Sequence, residues 1–472
     1  MLPPCSFLVA GGGIAGMLSA RTLAEAGARV TIVERNAALG GLLASRTFER
    51  EEWVFDYGTH LPEKLGIADL DRRLFGRITS EEWLQIPFYK TGNYAFGQLN
   101  EISGNISLHS LGKELHDSIS STLIQFPDPV AGFEEAGGGA NLKDYVTAQY
   151  GQQMAEHVFS PIMKKFYGHE LSELSPVAHH TFGLFRFLAY DPESSIKLKE
   201  NPAIDSRLAF HSSSHGVVGR TSYYPRTGGI GEWTRLLAED LEALGVQVIT
   251  EDSITALAAE PGDSRRLCSA TLKSGKVVNF NHLIWTLPAA MLLRLTGHAE
   301  AAQMTAPKHS RISLYHFVLD KPPVSPLFYM TCFDPEMETF RVTLYDNVQG
   351  TPVDGVHRIT VEVLTPTAGR ATPSIEKIFN ELSQIGLISS DTKAIASFQD
   401  ELSVGFPIFT PAFINQTKLA QSLVERDYSN VSLFGRNGGS VFFMRDVLVD
   451  IHDRLPMVME ETTALANAGT GR

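Results

Sequence analysis

The sequence predicts an α/β fold. One domain, built on a parallel sheet, is assembled from three separated stretches of chain, and a helical domain and an antiparallel sheet domain are inserted between them. Three observations lead there. A strand, a glycine-rich turn, a helix and a second strand follow one another over residues 6–33, a βαβ unit that implies a parallel sheet and a right-handed crossover. From Asp144 to Phe166, Tyr145, Val146, Met154, Val158 and Phe159 recur near helical spacing. Segments 313–320, 328–333, 340–345 and 358–364 alternate in the manner of strands.

In chain order, residues 6–10 read as a buried strand, 14–26 as a helix closed by Gly27, and 29–33 as a second strand. Gly137 to Gly139 read as a turn before the helical stretch, and 193–220, rich in Ser, His and Lys, as a long exposed loop. Gly92-Asn93-Tyr94 reads as a turn leading into a strand. Residues 230–244 look like an amphipathic helix, 246–250 and the stretch 277–287 like strands, and 431–435 like a late strand that rejoins the first domain. The small, polar tail after about 460 is expected to fray. The expected domains are 1–90, 205–300 and 425–472 for the parallel-sheet domain, 91–204 for the helical one and 301–424 for the antiparallel sheet.

With 43% hydrophobic and 20% charged residues, the composition is that of a globular chain rather than a disordered one. A net charge of −13 disfavours nucleic acid and anionic membranes as partners, since phosphates would be repelled. Cys5, Cys268 and Cys332 form no CxxC pair, which argues for a reducing compartment and against structural zinc. His179-His180 and His211 with His215 have no carboxylate or Cys partner at ligand spacing, so no metal is expected. The apolar first 20 residues lack a basic region and are interrupted by Gly11 to Gly13, which reads as a strand and turn rather than a signal peptide. No apolar run reaches the roughly 18 residues of a membrane span, and a cytoplasmic protein without an integral membrane segment is expected.

The chemistry begins at Gly11-Gly12-Gly13-Ile14-Ala15-Gly16, which places GxGxxG between a strand and a helix. In that context Gly11 permits the tight turn and Gly13 lets backbone approach a pyrophosphate. Gly16 lets the helix pack on the strand, and the amides at the helix start face the phosphates. Glu34 ends the second strand, where a carboxylate hydrogen-bonds a ribose hydroxyl. A glycine-rich loop beside a surface glutamate is the bland alternative, and the three features together argue against it.

The continuation Glu34-Arg35, then Gly40-Gly41-Leu42, resembles the extension of glutathione-reductase-type FAD folds, in which a second glycine pair follows the diphosphate. Ile284-Trp285-Thr286-Leu287-Pro288 resembles a strand of amine-oxidase-like flavoenzymes, and Phe434-Gly435-Arg436 the late strand whose Gly contacts the flavin. A narrower resemblance, to UDP-galactopyranose mutases and their relatives near protoporphyrinogen oxidase, runs in order along the chain. It is carried by Phe55-Asp56-Tyr57-Gly58-Thr59-His60, by Tyr150-Gly151 with Ser160 to Phe166, and by Tyr224-Pro225-Arg226-Thr227-Gly228-Gly229-Ile230-Gly231. Phe340-Arg341-Val342-Thr343 and Gly435-Arg436 with Met444 complete it. The chain departs from the mutase pattern at Thr59, at Ile162 and Phe166, and at Phe442-Phe443, where paired tyrosines are expected.

The resemblance implies a Rossmann-like FAD-binding domain held together at Gly11, Gly13, Ile14, Ala15, Gly16, Glu34, Arg35, Gly41, Leu42, Gly435, Arg436 and Met444. It implies Gly58 and His60 beside the flavin, and Arg341, with Arg226 or Arg445, on a substrate diphosphate; Tyr345, Asn347 and Tyr167 would line the pocket. The implied activity interconverts ring forms of a nucleotide-linked sugar with reduced FAD and no net redox change, NAD(P)H serving as external reductant. Alternatives stay open: a strand-surface salt bridge for Arg341, a hydrogen-bonded loop histidine for His60, ordinary packing for Tyr345, Asn347 and Tyr167, net oxidoreductase chemistry of the amine oxidase or desaturase type on a small molecule, and a flavin-binding protein with a structural or regulatory role. An oligomer is compatible with any of these.

Overall fold

A computed structural model of the chain describes residues 5–48, 53–125, 141–211, 221–350, 355–366, 371–402, 405–438 and 443–469. They divide into two compact units: Met1–Trp83, Thr227–Thr305 and Gln416–Arg472 form one, and Leu84–Arg226 with Ala306–Asn415 the other.

The first unit is built on a five-stranded, all-parallel sheet in the order Val431–Leu433, His282–Trp285, Ser6–Ala10, Arg29–Val33, Gln247–Ile249. The middle strand is buried along its length, with Phe7, Leu8 and Val9 at 1% exposure or less, as expected of a parallel strand covered on both faces. Helix Ile14–Glu25 returns the chain between the first two strands, and helices Gly231–Ala243 and Met444–Gly469 pack against it. A three-stranded antiparallel sheet, Ile254–Glu260, Asp263–Leu272 and Val277–Asn279, completes the unit. Its Leu257 and Leu272 share a core with Leu8 and Trp285.

Where the tail was expected to fray, helix Met444–Gly469 continues. Thr462 holds it: its hydroxyl lies 3.0 Å from His282 Nδ1, and its carbonyl accepts from Cys5 Sγ at 3.8 Å. The partners stand 180 and 457 residues away, so composition near 460 carries no trace of them.

The second unit centres on a seven-stranded sheet in the order Ala394–Leu402, Arg311–Leu319, His357–Thr365, Thr339–Leu344, Tyr329–Cys332, Thr91–Ala95, Gln98–Asn100. The expected antiparallel sheet is present, but the sheet is mixed: Thr91–Ala95, from the stretch assigned to a helical domain, pairs parallel to Tyr329–Cys332. Helical and sheet stretches thus lie in one unit. Lys165, on helix Ser160–Tyr167, is the clearest reason: its ammonium donates to the carbonyls of Cys332, Asp334 and Thr339 at 2.8–2.9 Å. That buried amine, held below its ordinary pKa by desolvation, ties helix to sheet.

The 144–166 stretch is helical in pieces, Leu142–Tyr150, Gln152–Met154, a π-helical turn Ala155–Phe159 and Ser160–Tyr167, broken at Gly151 with φ of 90°. The expected 193–220 loop instead holds helices Pro192–Leu198 and Pro202–Asp205. Asp191 and Asn201 cap them, accepting from the amides of Ser194 and Ala203, and a proline follows each cap. Asp-Pro and Asn-Pro were legible as helix starts. Residues 212–220, His215, Phe442 and the Gly137–Gly139 turn lie outside the described residues.

Candidate functional site

The site is built where the strands of the parallel sheet end. Gly11 has φ of 100°, and a Cβ there would stand 2.5 Å from Thr286 Oγ1, so both conformation and space require glycine. At Gly16 a Cβ would stand 1.9 Å from the Gly11 carbonyl oxygen: the helix starts directly against the turn. Gly13 differs. It caps helix Ile14–Glu25 in extended conformation, and its Cβ would meet no heavy atom within 4 Å. Gly13 immediately precedes the first amides of the helix, those of Ile14 and Ala15, which lack intrahelical acceptors. No side chain caps this helix and no acidic residue stands in its first turn, so its own residues leave the first amides to an incoming anion.

Glu34 is buried at 7% exposure. Its Oε2 accepts from the Gly12 amide at 2.7 Å and its Oε1 from the Asn36 amide at 2.9 Å. Two backbone donors fix the carboxylate beside the glycine turn and leave lone pairs for a diol. The second glycine pair rests on the first: Gly40 donates to the Gly12 carbonyl at 2.8 Å, Gly13 and Gly40 form a parallel bridge, and a Cβ on Gly41 would lie 3.4 Å from Gly13 Cα. Gly435, with φ of 79°, closes the group, its would-be Cβ 3.2 Å from Ala15 Cβ and 3.5 Å from Thr286 Cβ. Gly11, Gly13, Ile14, Ala15, Gly16, Glu34, Gly41 and Gly435 are thus brought together. Arg35 and Leu42 are exposed next to them in the chain, and Arg436 is half-buried, its guanidinium held below its ordinary pKa by desolvation. Met444 starts the last helix.

Gly58, with φ of 139°, and half-buried His60 belong to the same unit. Their loop is positioned by a residue given no role from sequence. Asp56, 1% exposed, accepts through Oδ1 from the Ile230 amide at 2.8 Å and the Ser45 hydroxyl at 2.6 Å. A Cβ on Gly229 would lie 2.3 Å from that same oxygen, and one on Gly231 2.8 Å from the Ser45 amide nitrogen. The FDxG turn and the GGxG helix start are one interlocked structure. Thr286 likewise has no role in the motifs read from sequence; its hydroxyl donates to the Ala10 carbonyl at 2.7 Å and sits against Gly11 and Gly435.

The candidate substrate residues belong to the second unit, except Arg445, which is half-buried on the last helix of the first. Arg341 faces Glu362 across paired strands and donates to it twice, Nε to Oε1 at 2.6 Å and Nη2 to Oε2 at 2.8 Å. Glu362 is buried, and although desolvation opposes the charge on Arg341, Glu362 raises its pKa on balance. Tyr345 is 2% exposed, its hydroxyl 2.9 Å from Thr360 Oγ1. Asn347 donates both amide hydrogens to backbone, the carbonyls of Ser325 and Leu327 at 2.8 and 2.7 Å. Tyr167 is buried, donating to the Ala178 carbonyl at 3.2 Å, and burial pushes its pKa up. Arg226 is exposed. Among the described residues no group of three or more His, Cys, Asp or Glu could hold a metal, and no helix is long and apolar enough to cross a membrane.

Residues 9–82 match the family model of the NAD(P)-binding Rossmann-like domain. No curated protein matches the chain in sequence. Among solved structures, reduced UDP-galactopyranose mutase superposes with a TM-score of 0.73 at 19% identity, covering 99% of this chain and 98% of that one. A putative protoporphyrinogen oxidase from Exiguobacterium sp. 255-15 superposes at 0.68 and 14% identity, over 98% and 100% of the two chains. An oxidoreductase from Methanosarcina mazei does so at 0.59 and 14%, over 96% and 100%. The glycine turn, the buried glutamate beside it and these superpositions over nearly the full length together assign the chain the Rossmann-containing α/β fold that UDP-galactopyranose mutase and the protoporphyrinogen oxidase-like structure share.

Proposed function

We propose that the chain is an FAD-dependent enzyme. One observation carries the reading: a helix start with open space at Gly13, two glycine pairs stacked on each other, and Glu34 fixed by two amides beside them. These groups suit a dinucleotide, with Gly13, Ile14 and Ala15 on the diphosphate and Glu34 on a ribose. The solved structures of similar fold are named as a mutase and as oxidoreductases, which supports an enzyme.

The finer reading is interconversion of ring forms of a nucleotide-linked sugar, supported by the motif series along the chain. Bound and reduced, FAD would supply a nucleophile for the anomeric carbon. Arg341, with Arg226, would stabilise charge developing on the departing diphosphate through paired N–H donors. Gly58 and His60 would shape the space at the reacting end of the cofactor, and Tyr345 and Asn347 would support the wall of the substrate pocket. NAD(P)H would serve as external reductant.

A second reading, net oxidation of an uncharged or cationic small molecule, has its own support. Arg341 already gives two of its three nitrogens to Glu362, and Tyr345 and Asn347 are engaged within their own unit. The experiment that separates the two is anaerobic. Purified protein is checked for a flavin spectrum, reduced with dithionite and given a panel of UDP-sugars, with products followed by chromatography. A sugar isomer formed only with reduced cofactor, without net flavin oxidation, supports the mutase. Failure of every sugar, with another compound reducing the oxidised cofactor, moves the protein to the oxidoreductases. A colourless preparation that takes up no added FAD overturns both.

A further inference from the structure

Arg445 is half-buried in the first turn of helix Met444–Gly469. Its Nη1 is shielded from solvent and has no hydrogen-bond partner among the described residues. A guanidinium is always charged, and a shielded N–H of a charged group without an acceptor is unfavourable. Nearby carboxylates on the same helix do not answer it: Asp450 is taken by Arg454 at 3.0 Å, and Asp446 is exposed.

The direction of the helix tells which end of the parallel sheet Arg445 occupies. Thr462 touches His282 and Cys5, at the amino ends of strands His282–Trp285 and Ser6–Ala10. Arg454 lies at the other end, donating to the Leu433 carbonyl at 3.5 Å, with its guanidinium 4.7 Å from the centre of the Phe434 ring. The helix therefore runs from carboxyl ends to amino ends, and Arg445 stands two and more turns before Arg454. That is the ligand-binding end of an open α/β sheet. It is also the end where Gly435 rests on Ala15, at the start of the anion-accepting helix.

We propose that Arg445 is held for an anionic group of the bound dinucleotide cofactor. The inference rests on the FAD reading. The anion can come from two sources, the diphosphate or the negative charge the ring system gains on reduction, and a guanidinium suits either. In both cases Nη1, without a partner among the described residues, gains one when the cofactor arrives, so Arg445 serves binding rather than folding.

The test uses full-length apoprotein as wild type, Arg445→Met and Arg445→Lys. It measures thermal midpoint, affinity for ADP and for oxidised FAD, and the two-electron midpoint potential of the loaded protein. Arg445→Met is expected to melt no lower than wild type. If the diphosphate is the partner, its affinities for ADP and FAD fall together by roughly 10- to 150-fold. If the reduced ring is the partner, both affinities hold and the potential drops about 30 mV for each tenfold lost in preference for the reduced form. Arg445→Lys should recover most of either effect. Arg445→Met with wild-type affinities and wild-type potential overturns the proposal. So does apoprotein that melts clearly lower, since that would show the charge paired within the protein. Wild type that binds ADP but not FAD would sink the FAD reading, and Arg445 is then judged on ADP alone.

Discussion

Asp56 Oδ1 lies 2.8 Å from the amide nitrogen of Ile230, 174 residues away in the chain, and also accepts from the Ser45 hydroxyl. One buried carboxylate oxygen therefore closes the start of helix Gly231–Ala243 and fixes the turn that carries Gly58 and His60. Asp56→Ala would leave the Ile230 amide and the Ser45 hydroxyl proton without this acceptor, although Ser45 Oγ still accepts from the Gly231 amide. The expected loss of stability is about 1.5–3 kcal/mol, read by urea unfolding. Unfolding that matches wild type would show that this oxygen does not hold the loop.

The glycines of the first turn separate folding from binding. Gly16→Ala forces a Cβ to within 1.9 Å of the Gly11 carbonyl and should destabilise the apoprotein by about 3 kcal/mol or more. Gly13→Leu points into open space from an extended backbone that any residue adopts. Its apoprotein should lose only about 1 kcal/mol, for the poorer N-cap, yet purify without flavin. Yellow Gly13→Leu protein would remove this turn from the cofactor site.

Arg341 and Glu362 form a bidentate pair in which the acid is 1% exposed. Removing the arginine alone strands the carboxylate, and Arg341→Ala should cost about 3–5 kcal/mol of stability. The double variant Arg341→Met with Glu362→Leu should recover most of that. Nucleotide affinity distinguishes the roles. If Arg341 meets a substrate diphosphate, both variants lose about 1.5–3 kcal/mol of UDP binding. Full UDP affinity in the double variant would make the pair a strand clasp only.

His282 links strand and tail. Its ring nitrogens lie 2.9 Å from the Ser432 hydroxyl and 3.0 Å from that of Thr462, and burial, helped by Arg266, lowers its pKa to about 4. The unfolded chain binds this proton near pH 6.5, so the native contribution is full above that value. It is lost as the pH falls from about 6.5 towards 4, by up to about 3 kcal/mol. Urea unfolding at stepped pH should show this acid limb in wild type and a shallower one in His282→Gln. Parallel curves would assign the limb to other groups.

The βαβ unit, its GxGxxG turn, Glu34 and the alternating strands were all legible in the sequence, because each depends on residues close in the chain. A glycine that must adopt positive φ, or an apolar run covered on two faces, leaves its mark within a few positions. What the chain could not disclose are the partners that folding brings from far away. Asp56 belongs to the FDxG motif, yet its acceptor role exists only where folding brings Ile230 and Ser45 to it. Lys165 reads as a surface cation until three carbonyls from the sheet surround it, and the residues after 460 read as a loose tail until Thr462 meets His282. Arg341 could be named from its strand, but its pairing with Glu362 is set by sheet register, which sequence spacing does not specify. Local chemistry thus determined the elements of the candidate nucleotide site and their order. Tertiary structure alone decided which charges are spent inside each unit, because Coulombic and hydrogen-bond energies depend on distances in space rather than on position along the chain.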